Sequence, residues 1–313
     1  MSKALIAMDR SGSYRVCACI TTDLVQEAVK IHDCTPTAAA GLGRVLTAAG
    51  MMGILMKDPD NKLTVNFKGD GPAKQILATA YGDGRVKGYI ANPYVDLPLT
   101  EAGKLDVGGS LGIGELSVIR DLGLKEPYMG TIALVNGEIA EDLTAYFFIS
   151  EQQSTSVALG VKVERDLSIG AAGGMIIQML PDAQEGAVDA LEEMIGQLEP
   201  VTTIISRLQN AADPDAKAGL APLSEAGLVR KMVEEIFSGM PEEFQVRVLE
   251  ERDIAWHCDC SRQRIEQALV TIGAKDLSEI IEEDGQAELQ CQFCLKKYHF
   301  DKPELQAILD SIS

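Results

Sequence analysis

Four cysteines near the C-terminus constrain this chain more than any other feature. Cys258 and Cys260 are separated by one residue and Cys291 and Cys294 by two, with residues 261–290 between the pairs. Two close cysteine pairs are typical of a tetrahedral zinc site in which each pair supplies two thiolates. The spacing therefore predicts one zinc ion held by all four side chains. His257 and His299 flank the motif and could replace a sulfur ligand, but with four cysteines available we expect both histidines to be solvated or packed.

The predicted zinc site has a redox alternative. Zinc–sulfur bonds of ~2.3 Å place neighbouring sulfurs roughly 3.8 Å apart, whereas a disulfide needs about 2.05 Å, so the two states exclude each other. Closeness within each pair favours Cys258–Cys260 and Cys291–Cys294 bridges on oxidation. Neither bridge connects the segment of the first cysteine pair to the segment of the second pair, as zinc does. Loss of zinc is therefore expected to unfold this part of the chain. A purely structural zinc ribbon is the simpler interpretation of the motif alone.

Composition and missing motifs exclude several classes of function. A formal net charge of −19 disfavours binding to phosphate backbones. No apolar run approaches the ~20 residues of a membrane span, and seven cysteines without a secretory apolar segment favour the cytoplasm. The glycine-rich run 108–114 lacks the Gly-Lys-Ser/Thr ending of a nucleotide-binding loop. We therefore expect no nucleic acid, membrane or nucleotide as partner, and no enzymatic activity.

The hydrophobic patterning predicts an α+β fold in three parts. Residues 1–197 read as a sheet-and-helix domain, in which Asn136-Gly137 is the strongest hairpin signal. Residues 198–255 read as a linker of short helices without strands, broken at Asp213-Pro214-Asp215. Residues 256–313 read as a small zinc-binding domain, which at this size needs a metal to stabilise it.

Three further cysteines lie in the N-terminal part. Cys17 and Cys19 are two apart on a predicted strand and therefore share one face of it, and Cys34 follows the next predicted helix. A second metal site would need more ligands than Cys34 and His32 supply nearby. We expect all three to be buried apolar side chains, although their positions leave some side oxidation open.

Motifs along nearly the whole chain, from about residue 3 to about 310, are similar to those of the redox-regulated heat-shock protein 33 chaperone family. The four C-terminal cysteines match its switch positions one by one. Further segments that resemble the family are Gly69-Asp70-Gly71-Pro72, Asn92-Pro93-Tyr94-Val95-Asp96-Leu97-Pro98, Asp121-Leu122-Gly123-Leu124-Lys125-Glu126-Pro127-Tyr128, Gly137-Glu138-Ile139-Ala140-Glu141-Asp142-Leu143-Thr144, Phe148-Ile149-Ser150-Glu151-Gln152 and Ala171-Ala172-Gly173-Gly174.

The resemblance implies a holdase chaperone that protects unfolding client proteins from aggregation under oxidative stress, without ATP. In such proteins the reduced, zinc-bound form is inactive. Oxidation forms two disulfides, releases one zinc per chain, unfolds the C-terminal domain and loosens the linker, and the active form is a homodimer. Cys17, Cys19 and Cys34 depart from the family's best-known pattern.

Two other functions remain open on the sequence. A thiol-disulfide oxidoreductase could use Cys291 and Cys294, but this pair does not open a helix after a strand as a thioredoxin-type site does. A zinc-ribbon factor for RNA or ribosomes fits the cysteine motif, but the net charge of −19 opposes it.

Overall fold

A computed structural model of the chain describes residues 2–211 and 224–312. The contacts divide the chain into two compact units, Met1–Trp256 and His257–Ser313. The predicted break at Asp213-Pro214-Asp215 lies outside the described residues. The division of the first unit into a domain that ends at residue 197 and a linker over 198–255 stays a prediction.

A ten-stranded sheet forms the centre of the first unit, and its strand order is β7-β6-β3-β4-β5-β10-β1-β2-β9-β8. The fold is the predicted α+β arrangement. The strands are β1 Ser2–Asp9, β2 Tyr14–Ile20, β3 Lys62–Gly69, β4 Gln75–Tyr81, β5 Arg85–Ile90, β6 Gly114–Asp121, β7 Tyr128–Ala133, β8 Thr155–Val163, β9 Ile169–Met179 and β10 Val246–Trp256. The helices are α1 Thr22–His32, α2 Pro36–Ile54, α3 Val107–Leu111, α4 Ala140–Ile149, α5 Glu185–Gly196, α6 Val201–Ala211 and α7 Glu225–Ile236, with a 3-10 turn at Glu242–Phe244.

Helix α2 packs into the main core against one face of the sheet. Pro36 occupies its first turn, where a missing N–H costs nothing, and small residues let its backbone approach the neighbouring elements. A Cβ at Gly43, for example, would lie 2.6 Å from Val25. The helix is long and apolar enough to cross a bilayer, but 94% of its most apolar 18-residue stretch is buried inside the protein. It is therefore the central core helix of this unit.

A second apolar cluster covers the opposite face of the sheet around β1, β2 and β9. Leu5, Val16 and Ile177 are buried there. Helices α5, α6 and α7 bury their own apolar faces against these strands, through side chains such as Ile205 and Met232. The apolar face of this part of the sheet is thus shielded by three helices that lie between β9 and β10 in the chain.

Two predictions about the first unit are wrong. The segment 200–255 contains a strand after all, because β10 pairs antiparallel with β1 and parallel with β5. Asn136-Gly137 does not centre a hairpin. The turn leads from β7 into helix α4, and the buried Asp142 carboxylate accepts hydrogen bonds from the backbone N–H groups of Val135 and Ile139.

The second unit combines a two-stranded hairpin with three helices. Its elements are α8 Arg262–Ile272, α9 Ala274–Glu283, β11 Gln286–Gln290, β12 Lys297–Asp301 and α10 Lys302–Ile312. Ser261 caps α8 as a hydroxyl acceptor for the N–H of Arg264. Asp301 and Glu304 accept from each other's backbone N–H at the start of α10. The core is small, with Leu269, Leu277, Ile281, Tyr298, Phe300 and Leu305 as its buried members.

Candidate metal centre

The four C-terminal cysteines come together from two short segments of the second unit. Cys258 and Cys260 lie on the segment that precedes α8, and Cys291 and Cys294 lie in the turn between β11 and β12. This turn is tight: the N–H of Cys291 donates to the carbonyl of Lys296 at 3.0 Å, and the N–H of Leu295 donates to the carbonyl of Cys291 at 2.8 Å. The turn therefore presents two sulfurs to the pair before α8.

The sulfurs have the spacing that one metal ion requires. All four Sγ atoms lie within 4.8 Å of one another. The Sγ atoms of Cys258 and Cys291 are 3.7 Å apart, and those of Cys260 and Cys294 are 3.4 Å apart. Both distances are near the roughly 3.8 Å expected between thiolates on a tetrahedral zinc ion. The donor set of four soft sulfurs also suits zinc.

Neither flanking histidine belongs to this cluster. Among the described residues, the group close enough together to share an ion consists of the four cysteines alone. The side chains of His257 and His299 are not part of it, and the carbonyl of His299 instead accepts a hydrogen bond from Arg262 at 2.9 Å. The geometry thus agrees with ligation by four sulfurs.

The four thiols have unequal surroundings. Cys291 is buried, whereas the other three are half-buried. Burial raises the pKa of the Cys258 thiol and of the Cys294 thiol. Burial also tends to raise the pKa of the Cys260 thiol. Hydrogen bonds outweigh this effect and lower that pKa, and the largest contribution among them comes from Tyr298. Of these three half-buried thiols, Cys260 is therefore the one most readily held as a thiolate in the absence of metal.

Tyr298 contacts the sulfur cluster, and it was not predicted as part of the site from the sequence. It lies on β12, and its hydroxyl donates to the Sγ of Cys260 at 3.1 Å. The hydrogen bond to Cys260 raises the pKa of the Tyr298 phenol to about 12. The signal was available in the sequence, because a tyrosine four residues after Cys294 in an alternating strand can face the metal site. Without the hairpin register, such a tyrosine is interpreted as an ordinary side chain of the hydrophobic core.

The N-terminal cysteines lie in the core of the first unit, as predicted. Cys17 and Cys19 are fully buried on one face of β2, and Cys34 is 6% exposed between α1 and α2. Burial raises the pKa of Cys17 and of Cys34 to about 12, and raises that of Cys19 well above its usual value. Low exposure and suppressed ionisation together make these three poor nucleophiles.

Comparison with known proteins shows the family of this chain. The family model described as Hsp33 protein matches residues 3–301. The 33 kDa chaperonin of Clostridium perfringens (strain SM101) is 47% identical over 313 residues, which cover 99% of this chain and 92% of the relative. The 33 kDa chaperonin of Alkaliphilus oremlandii is 46% identical over 303 residues, which cover 96% of this chain and 94% of the relative.

A solved structure shows the same architecture. The crystal structure of the 33 kDa chaperonin (heat shock protein 33 homolog) from Thermotoga maritima superposes with a TM-score of 0.82 at 32% identity, and the match covers 99% of this chain and 98% of that one. The fold and the cysteine cluster thus define a protein of a chaperone family. The chain belongs to the Hsp33 family.

Proposed function

We propose that this protein is a redox-regulated, ATP-independent holdase chaperone of the cytoplasm. Family membership supports the chaperone role. The observation that carries the regulatory part is the cluster of four Sγ atoms within 4.8 Å, in a unit whose buried core is small. In the reduced, inactive state, Cys258, Cys260, Cys291 and Cys294 hold one zinc ion per chain.

A peroxide would convert this cluster into disulfides. One thiolate attacks the peroxide, the O–O bond breaks, and the sulfur loses two electrons to become a sulfenic acid while the other oxygen leaves as hydroxide, which takes up a proton to give water. A second thiolate then attacks the sulfenic sulfur, and a further hydroxide leaves as the S–S bond forms. We propose Cys258–Cys260 and Cys291–Cys294 as the products, because each bridge joins cysteines that are neighbours in the chain.

Loss of zinc would unfold the second unit. Structural zinc supplies apparent binding energies of about 10–16 kcal/mol in small finger peptides. The unit spans His257–Ser313, a size at which an apolar core alone gives only marginal stability. Two local disulfides would not replace the connection that zinc makes between the segment before α8 and the β11–β12 turn.

The client-binding surface would come from the covered face of the sheet. Residues 198–255 act as the linker in this proposal, and its helices α6 and α7 shield Leu5, Val16 and Ile177. Detachment of these helices would expose a contiguous apolar surface, which suits unfolding clients. Burial of part of that surface between two copies would give the active homodimer.

The experiment compares the zinc-loaded, reduced protein with Cys291→Ser and with Cys34→Ala, which removes a thiol outside the cluster. Peroxide with mild heat should release one zinc from the wild type and from Cys34→Ala, and both should then suppress aggregation of a thermally unfolded client. Cys291→Ser should lose tight zinc binding, and its second unit should unfold under reducing conditions. A gain of holdase activity in the wild type without zinc release would contradict the switch.

The two alternative functions have less support. Cys291 and Cys294 lie in a hairpin turn rather than in the first turn of a helix, which is the position of a thioredoxin-type Cys-x-x-Cys pair. An RNA-binding role would have to overcome the net charge of −19. Insulin reduction and salt-sensitive RNA binding would reveal these activities.

A further inference from the structure

We infer that the hydroxyl of Tyr298 controls how readily Cys260 reacts with peroxide, through the hydrogen bond that it donates to the Cys260 sulfur. The donor–acceptor distance is 3.1 Å. Tyr298 acts through its contact with Cys260, so it is a positioning residue. The inference rests on the proposed function and adds to it the residue that sets the oxidant threshold of the switch.

Packing holds the phenol ring of Tyr298 in place. The residue pairs with Leu289 across the β11–β12 hairpin, and it is only 6% exposed. Its ring packs in the cluster with Phe300 and Leu305, and the ammonium of Lys296 lies 5.2 Å from the ring centroid. The ring has little freedom to turn away, so the hydroxyl stays directed at the sulfur.

The donor at Cys260 differs in kind from the donors at Cys258 and Cys294. The Sγ of Cys258 accepts from the backbone N–H of Cys260, and the Sγ of Cys294 accepts from the backbone N–H of Lys296. Those backbone donors remain when the side chain of the donor residue is substituted. The donor from Tyr298 is a single side-chain hydroxyl, and a change of residue removes it without a change in the backbone.

The chemical effect depends on the charge on sulfur. A metal-bound thiolate keeps lone-pair density with which it attacks the peroxide O–O bond. A hydrogen bond draws that density toward the donor proton, and the nucleophilicity of a thiolate falls with its basicity. The same bond orients the ligand and strengthens the metal site, as outer-shell partners do. Tyr298 therefore slows the attack by Cys260 and raises the peroxide concentration at which zinc leaves.

The test measures zinc release from the full-length, reduced, zinc-loaded protein at fixed peroxide with a chromogenic chelator. Tyr298→Phe removes the hydroxyl and keeps the ring. We expect several-fold faster release and, by analogy with outer-shell substitutions elsewhere, zinc binding about 10-fold weaker. Tyr94→Phe, at a residue 65% exposed in the first unit, is the matched control and should release zinc at the wild-type rate.

A spectroscopic readout separates electronic tuning from loss of packing. In the cobalt-substituted protein, the sulfur-to-metal charge-transfer bands should move to lower energy in Tyr298→Phe, because the sulfur lone pair loses its donor. Incorporation of 3-fluorotyrosine at position 298 supplies a stronger donor, and should slow zinc release and move the bands to higher energy. This variant decides the matter if Tyr298→Phe does not fold.

Equal release rates and equal cobalt spectra for tyrosine and fluorotyrosine would overturn the inference. Its failure is distinguishable from failure of the proposed function, because zinc release and cobalt bands are measured without a client protein. If the wild type lost zinc on oxidation and gained no holdase activity, the proposed function would be wrong, while the graded release rates would still decide the role of Tyr298.

Discussion

The seven thiols of the chain fall into two groups whose chemistry differs because their surroundings differ. The four C-terminal sulfurs lie together with polar donors around them, and three are half-buried. Cys17, Cys19 and Cys34 lie in the apolar core of the first unit. A thiol in such a core stays protonated, because burial opposes the charged form. An oxidant that reaches the protein therefore meets one reactive group of thiols.

We predict that alkylation of Cys17 and Cys34 in the native protein is slow and rises about tenfold per pH unit from pH 8 to 11. The thiolate is the reactive form, and burial raises the pKa of both thiols to about 12. In denaturant the rates should level off above about pH 8.5, the usual thiol pKa. Peptide mass spectrometry after a timed pulse of iodoacetamide measures both. A native plateau near pH 8.5 would contradict the burial argument.

The same two thiols make the protein less stable in alkali. Their folded-state pKa is raised, so between about pH 8.5 and about 12 the unfolded chain has released protons that the folded chain retains. The free energy of unfolding therefore falls as the pH rises through this window. Below this window the two thiols do not alter the free energy of unfolding, because both are protonated in the folded and the unfolded chain.

Strand β10 was not predicted from the sequence, and its residues show why. Its sequence includes four consecutive charged residues, Glu250 to Asp253, which hide the alternation that identifies a strand. Ion pairs with other elements accommodate two of them: Lys3 lies 2.5 Å from Asp253, and Arg230 lies 2.6 Å from Glu251. The partners come from β1 and α7, and such long-range pairs leave no trace in local sequence.

The prediction of a hairpin at Asn136-Gly137 failed for a different reason. The dipeptide does favour a tight turn, and Gly137 adopts a positive φ of 73°. The element after the turn is decided by Asp142, a buried carboxylate that accepts from several N–H groups of the turn and leads the chain into α4. The cysteine site, by contrast, was predictable because metal ligation depends on residue type and spacing, both of which are explicit in the sequence.

We predict that Gly84→Ala disrupts the contact between β5 and β10. Gly84 has a φ of 89°, and a Cβ there would lie 1.9 Å from the carbonyl oxygen of Asp253. Backbone strain and the clash together should cost more than about 3 kcal/mol, which denaturant unfolding would measure. Gly103→Ala is the matched control: its φ is 71° with nothing within 4 Å of the added Cβ, so only about 1–2 kcal/mol is expected. Equal losses would disprove the steric argument.

At the scale of the whole molecule, the two units differ in what stabilises them. The first has two extensive apolar clusters, one on each face of the sheet. The second has six buried side chains in its core and four clustered thiols. Removal of a metal would thus affect the second unit directly.

We predict that oxidation unfolds α6 and α7 but leaves β10 in the sheet, so that the two ends of the predicted linker behave differently. After peroxide and mild heat, backbone amides of α6, α7 and residues 257–312 should lose protection from hydrogen exchange. Amides of Val246–Trp256 should keep it, because β10 pairs with β1 from Val246 to Ile254 and with β5 at Ala255 and Trp256. Exchange monitored by mass spectrometry, with reductant-treated protein as the control, tests this. Loss of protection throughout 198–255 would show that the whole predicted linker unfolds as one segment.

The position of β10 also bears on how the chain is made. Strands β1 and β5 are complete by Ile90, yet the strand that lies between them begins at Val246. On the ribosome, the edges of β1 and β5 that pair with β10 therefore stay open until Val246 and the residues after it are synthesised. Unpaired edges invite pairing with other chains, so we expect the unfinished chain to be more prone to aggregation than the complete one.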